Sequence, residues 1–338
     1  MSPSSIDDQL ATIERSRTIR RIATVLFVVL VGVATYYGLQ FIRFEWRSLL
    51  INLSGGATFL NGFFPVDFVD FTLYSKDNEI TGFDAVIASF ANFPDAFVDS
   101  FASQRTSLVR TSFVTLLLGF LGTVIGFPLA LGFGILGSER VTPFPLNFLF
   151  RGTMSAIRSI PALVWVFIYA PLVGINPSGA VLAVGTDTIG NLGRLFTDEL
   201  EEIEEGPIEA IGSTGAARSQ VISFGMLSQV SRSFIAWTLY ILEINVRIAI
   251  GLGIVGAGGI GFYIDSMQGV RAYQRMAAGI VMVFFIVVSV ELISSRLRAR
   301  LRPGDHGGRG LVDVLRGLGD YRRWLGVNPE REDTSDDS

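Results

Sequence analysis

Thr111–Ser138 reads TSFVTLLLGFLGTVIGFPLALGFGILGS, an unbroken run without a charge. A helix needs about 20 residues to cross roughly 30 Å of hydrocarbon, so this stretch is long enough to span a bilayer. Gly119, Gly122, Gly126, Gly132 and Gly134 give it small surfaces on which other helices can approach closely. Ile22–Ile42 is a second uncharged run, too long for a signal-peptide core and without a small-residue cleavage site, and it reads as a retained helix. Ser159–Thr186 is too long for one span and holds Pro171, Gly174, Asn176 and Pro177 at its middle. It therefore reads as a helix, a tight turn and a further helix running to about Phe196. Phe234–Val255 and Met276–Ser295 complete six spans. The expected fold class is an all-α, polytopic membrane protein of about six transmembrane helices.

Composition agrees with that reading. Of 338 residues 49% are hydrophobic and 17% charged, too apolar for a soluble domain of this length. Cysteine is absent, which excludes disulfides, thiolate metal sites and cysteine nucleophiles. The single histidine, His306, lies in a Gly/Arg-rich tail, so neither a histidine metal centre nor a Ser/His/Asp triad fits the membrane body. No catalytic residue, metal site or cofactor is expected. Lysine occurs once, in Ser75-Lys76-Asp77, which cannot be a phosphate-binding Gly-Lys-Ser/Thr loop. Any ATP used must be hydrolysed by another chain.

Arginine places the ends. Arg15, Arg17, Arg20 and Arg21 precede the first span, and Arg296, Arg298, Arg300 and Arg302 follow the last, so both termini are expected in the cytoplasm of a multi-pass cell-membrane protein. The expected divisions are a cytoplasmic segment 1–21, a membrane domain 22–300 and a cytoplasmic, partly disordered tail 301–338. Within the membrane domain, 43–109 is expected outside, with an interfacial or re-entrant piece at 48–66, and 198–231 is expected inside.

The inner segment 198–231 is polar, helical in pattern and broken at Gly206-Pro207. Pro207 suits a helix first turn, Glu209 is favoured by the positive helix end, and Gly215 permits a bend into a second helix. By shape this is a docking knob; an ordinary solvated loop is the alternative. Glu243 and Arg247 are spaced to pair on one helix face. Ionisable groups at membrane depth face a protein interior or a wet path. Arg247 therefore either attracts an oxyanion, for which a guanidinium fork is suited, or serves with Glu243 as a structural lock. Asp187, Asn191 and Arg194 recur along one helix face and could line the same path. Gly256, Gly258 and Gly261 satisfy G-x-G-x-x-G, but no strand precedes them, so they read as a closely packed turn at the outer end of the fifth span rather than a dinucleotide site.

Glu209-Ala210, Gly215 and Leu227 resemble the coupling loop of ABC importer permeases, with Ile211, Gly225 and Ser228 departing from that pattern. Arg158-Ser-Ile-Pro161-Ala-Leu-Val-Trp165, Glu243-Ile-Asn245-Val-Arg247 and the Gly253–Gly261 run resemble the phosphonate branch of that family. The resemblance covers about residues 20–300, and 67–103 is enlarged relative to the family. It implies a type I permease fold and import of phosphonate or a related phosphorus oxyanion. It also implies a second permease copy in a homodimer, two ABC ATPase subunits docked on the coupling loop and an extracytoplasmic solute-binding protein, with no nucleic acid involved. Arg158, Pro161, Asp187, Glu243, Asn245 and Arg247 are the candidates for the translocation path. A methionine or metal-ion importer is one alternative. A secondary transporter is another, although it would not need the knob at 209–215.

Overall fold

The computed structural model describes residues 3–301; the expected disordered tail, with His306, lies outside them. The described chain is helical, with no strand among the described residues. It divides after Gly62 into two compact units. The first holds α1 (Pro3–Phe41), α2 (Trp46–Ile51) and α3 (Leu53–Asn61). The segment expected to be interfacial thus begins as two short helices.

The second unit opens with three short helices, α4 (Leu73–Asp77), α5 (Asp84–Ala91) and α6 (Asp95–Ala102). The long α7 (Leu108–Gly137) follows. Ser107 caps α7 by accepting a hydrogen bond from the Arg110 amide. Next come α8 (Leu146–Ser159), α9 (Ala162–Val173) and α10 (Pro177–Glu201). The inner segment forms α11 (Glu205–Ser213), α12 (Arg218–Gln220) and a π-helical turn, Val221–Met226. The remainder is α13 (Leu227–Leu252), a second π-helical turn (Gly253–Ala257), α14 (Gly259–Gly269) and α15 (Tyr273–Leu301).

Among the described residues four stretches are long and apolar enough to cross a membrane: Ile19–Phe41, Leu108–Gly137, Arg218–Ala257 and Tyr273–Arg300. The pair α8 and α9, bent by 92°, makes a fifth if counted as one. The bend has a local cause. Pro161 has no N–H to donate and holds Ile160 in an extended conformation, which ends α8. The remaining expected span, the fourth in chain order, corresponds to α10, which is long enough but carries Asp187, Arg194, Asp198, Glu199 and Glu201. Such a helix is tolerated where other protein surrounds it, and α10 packs along α7, α8, α9 and α13.

Packing of α7 on α10 depends on the absence of side chains. A Cβ on Gly122 would sit 2.4 Å from Val184, and one on Gly126 would sit 2.5 Å from the Gly185 carbonyl. Gly134 meets Phe196 in the same way, whereas Gly132 faces open space and takes no part in the contact expected of it. At the end of α13, Gly256 and Gly258 have φ of 97° and 93°, and a Cβ on Gly261 would lie 2.0 Å from the Ile250 carbonyl oxygen. The three glycines therefore let α14 fold back against α13. Gly261→Ala should force the two backbones apart, costing about 1–3 kcal/mol by overpacking, and should show as a lower thermal midpoint of the detergent-purified protein. An unchanged midpoint would mean that this turn is slack.

Candidate functional site

Helices α8, α9, α10 and α13 surround one cavity of about 740 Å³, with the break at Pro161 in its wall. Arg158 and Pro161 come from the α8–α9 bend, Asp187, Asn191, Arg194 and Asp198 from α10, and Tyr240, Ile244, Asn245 and Ile248 from α13. Four of the six expected path residues, Arg158, Pro161, Asp187 and Asn245, are thus brought together. Asn191 and Arg194 join them.

Polar contacts inside the cavity are specific. Asn191 Nδ2 donates to Asp187 Oδ2 at 2.9 Å, and Arg194 Nε lies 3.0 Å from Asp198 Oδ1. Asn245 is fully buried; its Nδ2 donates to the hydroxyls of Thr123 and Thr188, each at 2.8 Å, which ties α7, α10 and α13 at one point. Among the described residues its Oδ1 has no partner, an arrangement costly enough that a buried acceptor normally finds one. Arg158 interacts electrostatically with Asp187. Among the described residues no hydrogen bond or ion pair engages its guanidinium.

Glu243 and Arg247 are absent from this lining and belong to a different cluster. Arg247 Nη2 lies 2.5 Å from Glu243 Oε1 and 3.4 Å from Glu291 on α15, while Arg298 Nη2 lies 3.2 Å from Glu243 Oε2. Arg298 also stacks over Tyr240, 5.8 Å from the ring centre. Glu243 is therefore a buried carboxylate held between two arginines. Its i,i+4 partner is visible in the spacing, but Arg298, 55 residues on, is not. Glu243→Gln removes the carboxylate shared by both arginines and leaves Arg298 without an acidic partner among the described residues and Arg247 only Glu291, whereas Arg247→Gln leaves Glu243 its second partner. Glu243→Gln should therefore lower the thermal midpoint more than Arg247→Gln, since removing one member of a buried pair strands the other. The reverse order would break this account of the cluster.

The segment expected inside has the expected helix-bend-helix form. No residue of α11 is buried, Glu209 and Ala210 are exposed, and Gly215 makes the bend with φ of 81° and open space around it. Leu227 instead packs into the core at the foot of α13. Beside α11 lies a second cavity of about 560 Å³ that Glu209 shares with Arg140 and Arg218, and Phe224 stands 69% exposed nearby in the chain. Arg140, Arg218 and Phe224 carry no local signal that sets them apart from other loop residues. Among the described residues no group of three or more His, Cys, Asp or Glu side chains is placed to hold a metal ion.

No protein-family model matches the chain. It is 32% identical over 209 residues to the phosphite transport system permease protein PtxC of Stutzerimonas stutzeri, covering 62% of this chain and 76% of that protein. It is 39% identical over 119 residues to a putative cryptic phosphonate transport system permease protein of Escherichia coli, covering 35% of this chain and 97% of that one. To the phosphate-import permease protein PhnE of Mycolicibacterium smegmatis it is 30% identical over 229 residues, covering 67% of this chain but 43% of that protein, so it spans less than half that relative's length. A chain of the MetNI methionine ABC transporter, solved in inward-facing conformations, superposes with a TM-score of 0.52 over 58% of this chain and 96% of that one, at 22% identity. That likeness is one of fold.

Proposed function

We propose that this chain, which belongs to the ABC importer permeases of the phosphonate branch, is the subunit that carries phosphonate or a related phosphorus oxyanion inward. The observation that carries the reading is the cavity at the α8–α9 bend. It is lined by Arg158, whose guanidinium interacts electrostatically with Asp187 but is engaged by no hydrogen bond or ion pair among the described residues, and by Asn245, whose buried carbonyl oxygen has no partner among them. A guanidinium fork matches two phosphoryl oxygens, and the Asn245 acceptor suits the proton of a monoprotonated oxyanion. Asp187 and Asp198 temper the positive field, which favours passage over tight retention.

Movement is supplied from outside the chain. α11 and the Gly215 bend form the coupling loop, with Glu209 and Ala210 offered to an ATPase subunit and Leu227 anchoring the loop to α13. Since α13 both carries this anchor and lines the cavity, a push on α11 is passed to the path by one rigid element. Two ATPases, a second permease copy and a solute-binding protein complete the assembly. In this reading Glu243 and Arg247 brace α13 against α15, and the Gly256–Gly261 turn closes the outer end.

This arrangement needs α11 and both termini in the cytoplasm and 43–109 outside. Because the sequence has no cysteine, single-cysteine variants report sidedness directly. Asp77→Cys and Met267→Cys should react with an impermeant maleimide in intact cells, and Glu209→Cys only after the cells are opened. Reaction of Glu209→Cys from outside would remove the coupling loop from the ATPase's reach.

A further inference from the structure

The enlarged segment ahead of α7 is turned inside out. An amphipathic helix in water buries its large apolar side chains and exposes its polar ones. α5 and α6 bury Ala85, Ser89, Ala96 and Ser100 instead. Those hydroxyls are used: Ser89 Oγ lies 2.6 Å from Thr72 Oγ1, and the Leu73 amide donates to Ser100 Oγ at 2.9 Å. The outward face carries Phe83, Ile87 and Phe90, followed by Phe93 and Val98, each more than half exposed.

This apolar face is supported and directed. Phe90 and Phe93 pack on Phe97, which meets the buried Phe71, so the rings are held by the core of the segment. The segment is fixed to the membrane domain through Asp70, whose Oδ2 accepts from the Tyr263 hydroxyl at 3.0 Å and whose Oδ1 lies 2.9 Å from Lys76. Burial, and then Asp70, push the Tyr263 phenol above its ordinary value, so it remains a donor there. Phe101 continues the face onto α7, 5.1 Å from Phe113. From Phe113 the exposed stripe runs on through Leu117, Phe120 and Val124 along a membrane-spanning helix. An exposed apolar stripe on a helix long enough to span a membrane is suited to lipid, and the face of α5 and α6 meets it through the Phe101–Phe113 contact. The exposed charges of the segment include the Asp77–Arg105 pair, with Asp77 held below its usual value by the Arg105 hydrogen bond, Asp84 at the start of α5, and Asp95 and Asp99 on α6. Arg110 sits at the joint, donating to the Phe101 and Ser103 carbonyls, a level at which arginine commonly anchors.

We propose that α5 and α6 are interfacial helices seated in the bilayer at the N-terminal end of α7, with Phe83, Ile87, Phe90 and Phe93 among the acyl chains and Asp95 and Asp99 in water. The enlarged segment then sets the depth and tilt of α7 and, through Asp70 and Tyr263, of α14.

Nitroxide labels on Ile87→Cys, Phe90→Cys and Asp99→Cys test this, with Phe120→Cys as a reference on the lipid face of α7. The assembled transporter, with cysteine-free partner subunits, is placed in liposomes of phosphatidylcholine and phosphatidylglycerol. Collision rates with oxygen and with a water-soluble nickel chelate are then measured. The oxygen-to-nickel ratio at Ile87 and Phe90 should match that at Phe120 and exceed that at Asp99 several-fold. A ratio equal to that at Asp99 would place the face in water. Shielding from both reagents would mean a second copy covers it, and nickel protection arising only on addition of the solute-binding protein would make it a protein docking surface; each overturns the proposal. Phe83→Cys, on the same stripe, serves as the second reporter should either of the first two variants fail to assemble.

Discussion

Gly215→Val is expected to yield a protein that inserts into the membrane at its normal level and transports at background. Gly215 has a positive φ, and nothing approaches within 4 Å of where its Cβ would be. The substitution therefore meets no steric obstacle in the fold. Its cost is local: a β-branched residue in the left-handed region loses about 1–2 kcal/mol, which the loop can relieve by changing the angle between α11 and α12. Because α11 has no fully buried residue and reaches the core that holds Phe196, Phe234 and Ile241 only through the half-buried Ile208, that change leaves this core and the one formed by Leu118, Val166 and Leu252 largely intact. What is lost is the surface presented by Glu209 and Ala210. Either the ATPase subunits should fail to co-purify, or they should remain bound with hydrolysis that no longer responds to substrate. Normal uptake with normal ATPase recovery would reduce the knob to a solvated loop.

The second large effect is expected at Arg158. Arg158→Gln should lower uptake of the phosphorus oxyanion by about ten- to hundredfold, the size expected for losing a charge-assisted hydrogen bond of about 1.5–3 kcal/mol. Arg158→Lys should retain part of the activity, since the charge remains and the fork is lost. Stability should be unchanged in both, because the guanidinium engages no described group by hydrogen bond or ion pair. The comparison that matters is with Arg247→Gln, where Glu243 and Glu291 already occupy the cation. Full uptake in Arg158→Gln with loss in Arg247→Gln would move the substrate contact from the cavity to the α13–α15 face.

The uncharged runs disclosed where the long helices lie, because length and apolarity are local properties. α10 was legible through the Pro171–Pro177 turn, and Asn176 indeed caps it by accepting from the Ser178 and Gly179 amides. Its far end runs on to Glu201 rather than stopping near Phe196, since Leu200 is buried in the core that also holds Met226. Likewise α13 starts at Leu227, not Phe234, because the π turn at Val221–Met226 feeds into it without a break in direction that composition could reveal. The 92° bend at Pro161 is not legible in 159–173, which reads as one apolar piece, and the amphipathic α8 before it lies, but for its last residue, outside every expected span. In the site, Asp187, Asn191 and Arg194 share a face by spacing alone. Their meeting with Arg158 and Asn245 depends on helices far apart in sequence, which periodicity cannot place. The segment ahead of α7 is least legible, because its order comes from the Thr72 and Ser89 hydroxyls pairing across 17 residues and the Ser100 hydroxyl accepting from the Leu73 amide across 27.

The central claim is ATP-driven import of a phosphorus oxyanion through this subunit, and vectorial uptake in a closed system tests it most directly. The permease is reconstituted into liposomes with its cognate ATPase and solute-binding protein, and accumulation of phosphite and of methylphosphonate is followed, with methionine as the comparison solute. Accumulation of a phosphorus oxyanion that requires ATP, stops with vanadate and is absent for methionine is the predicted result. Uptake by the permease alone that follows an imposed proton or sodium gradient, with no dependence on ATP, would contradict it.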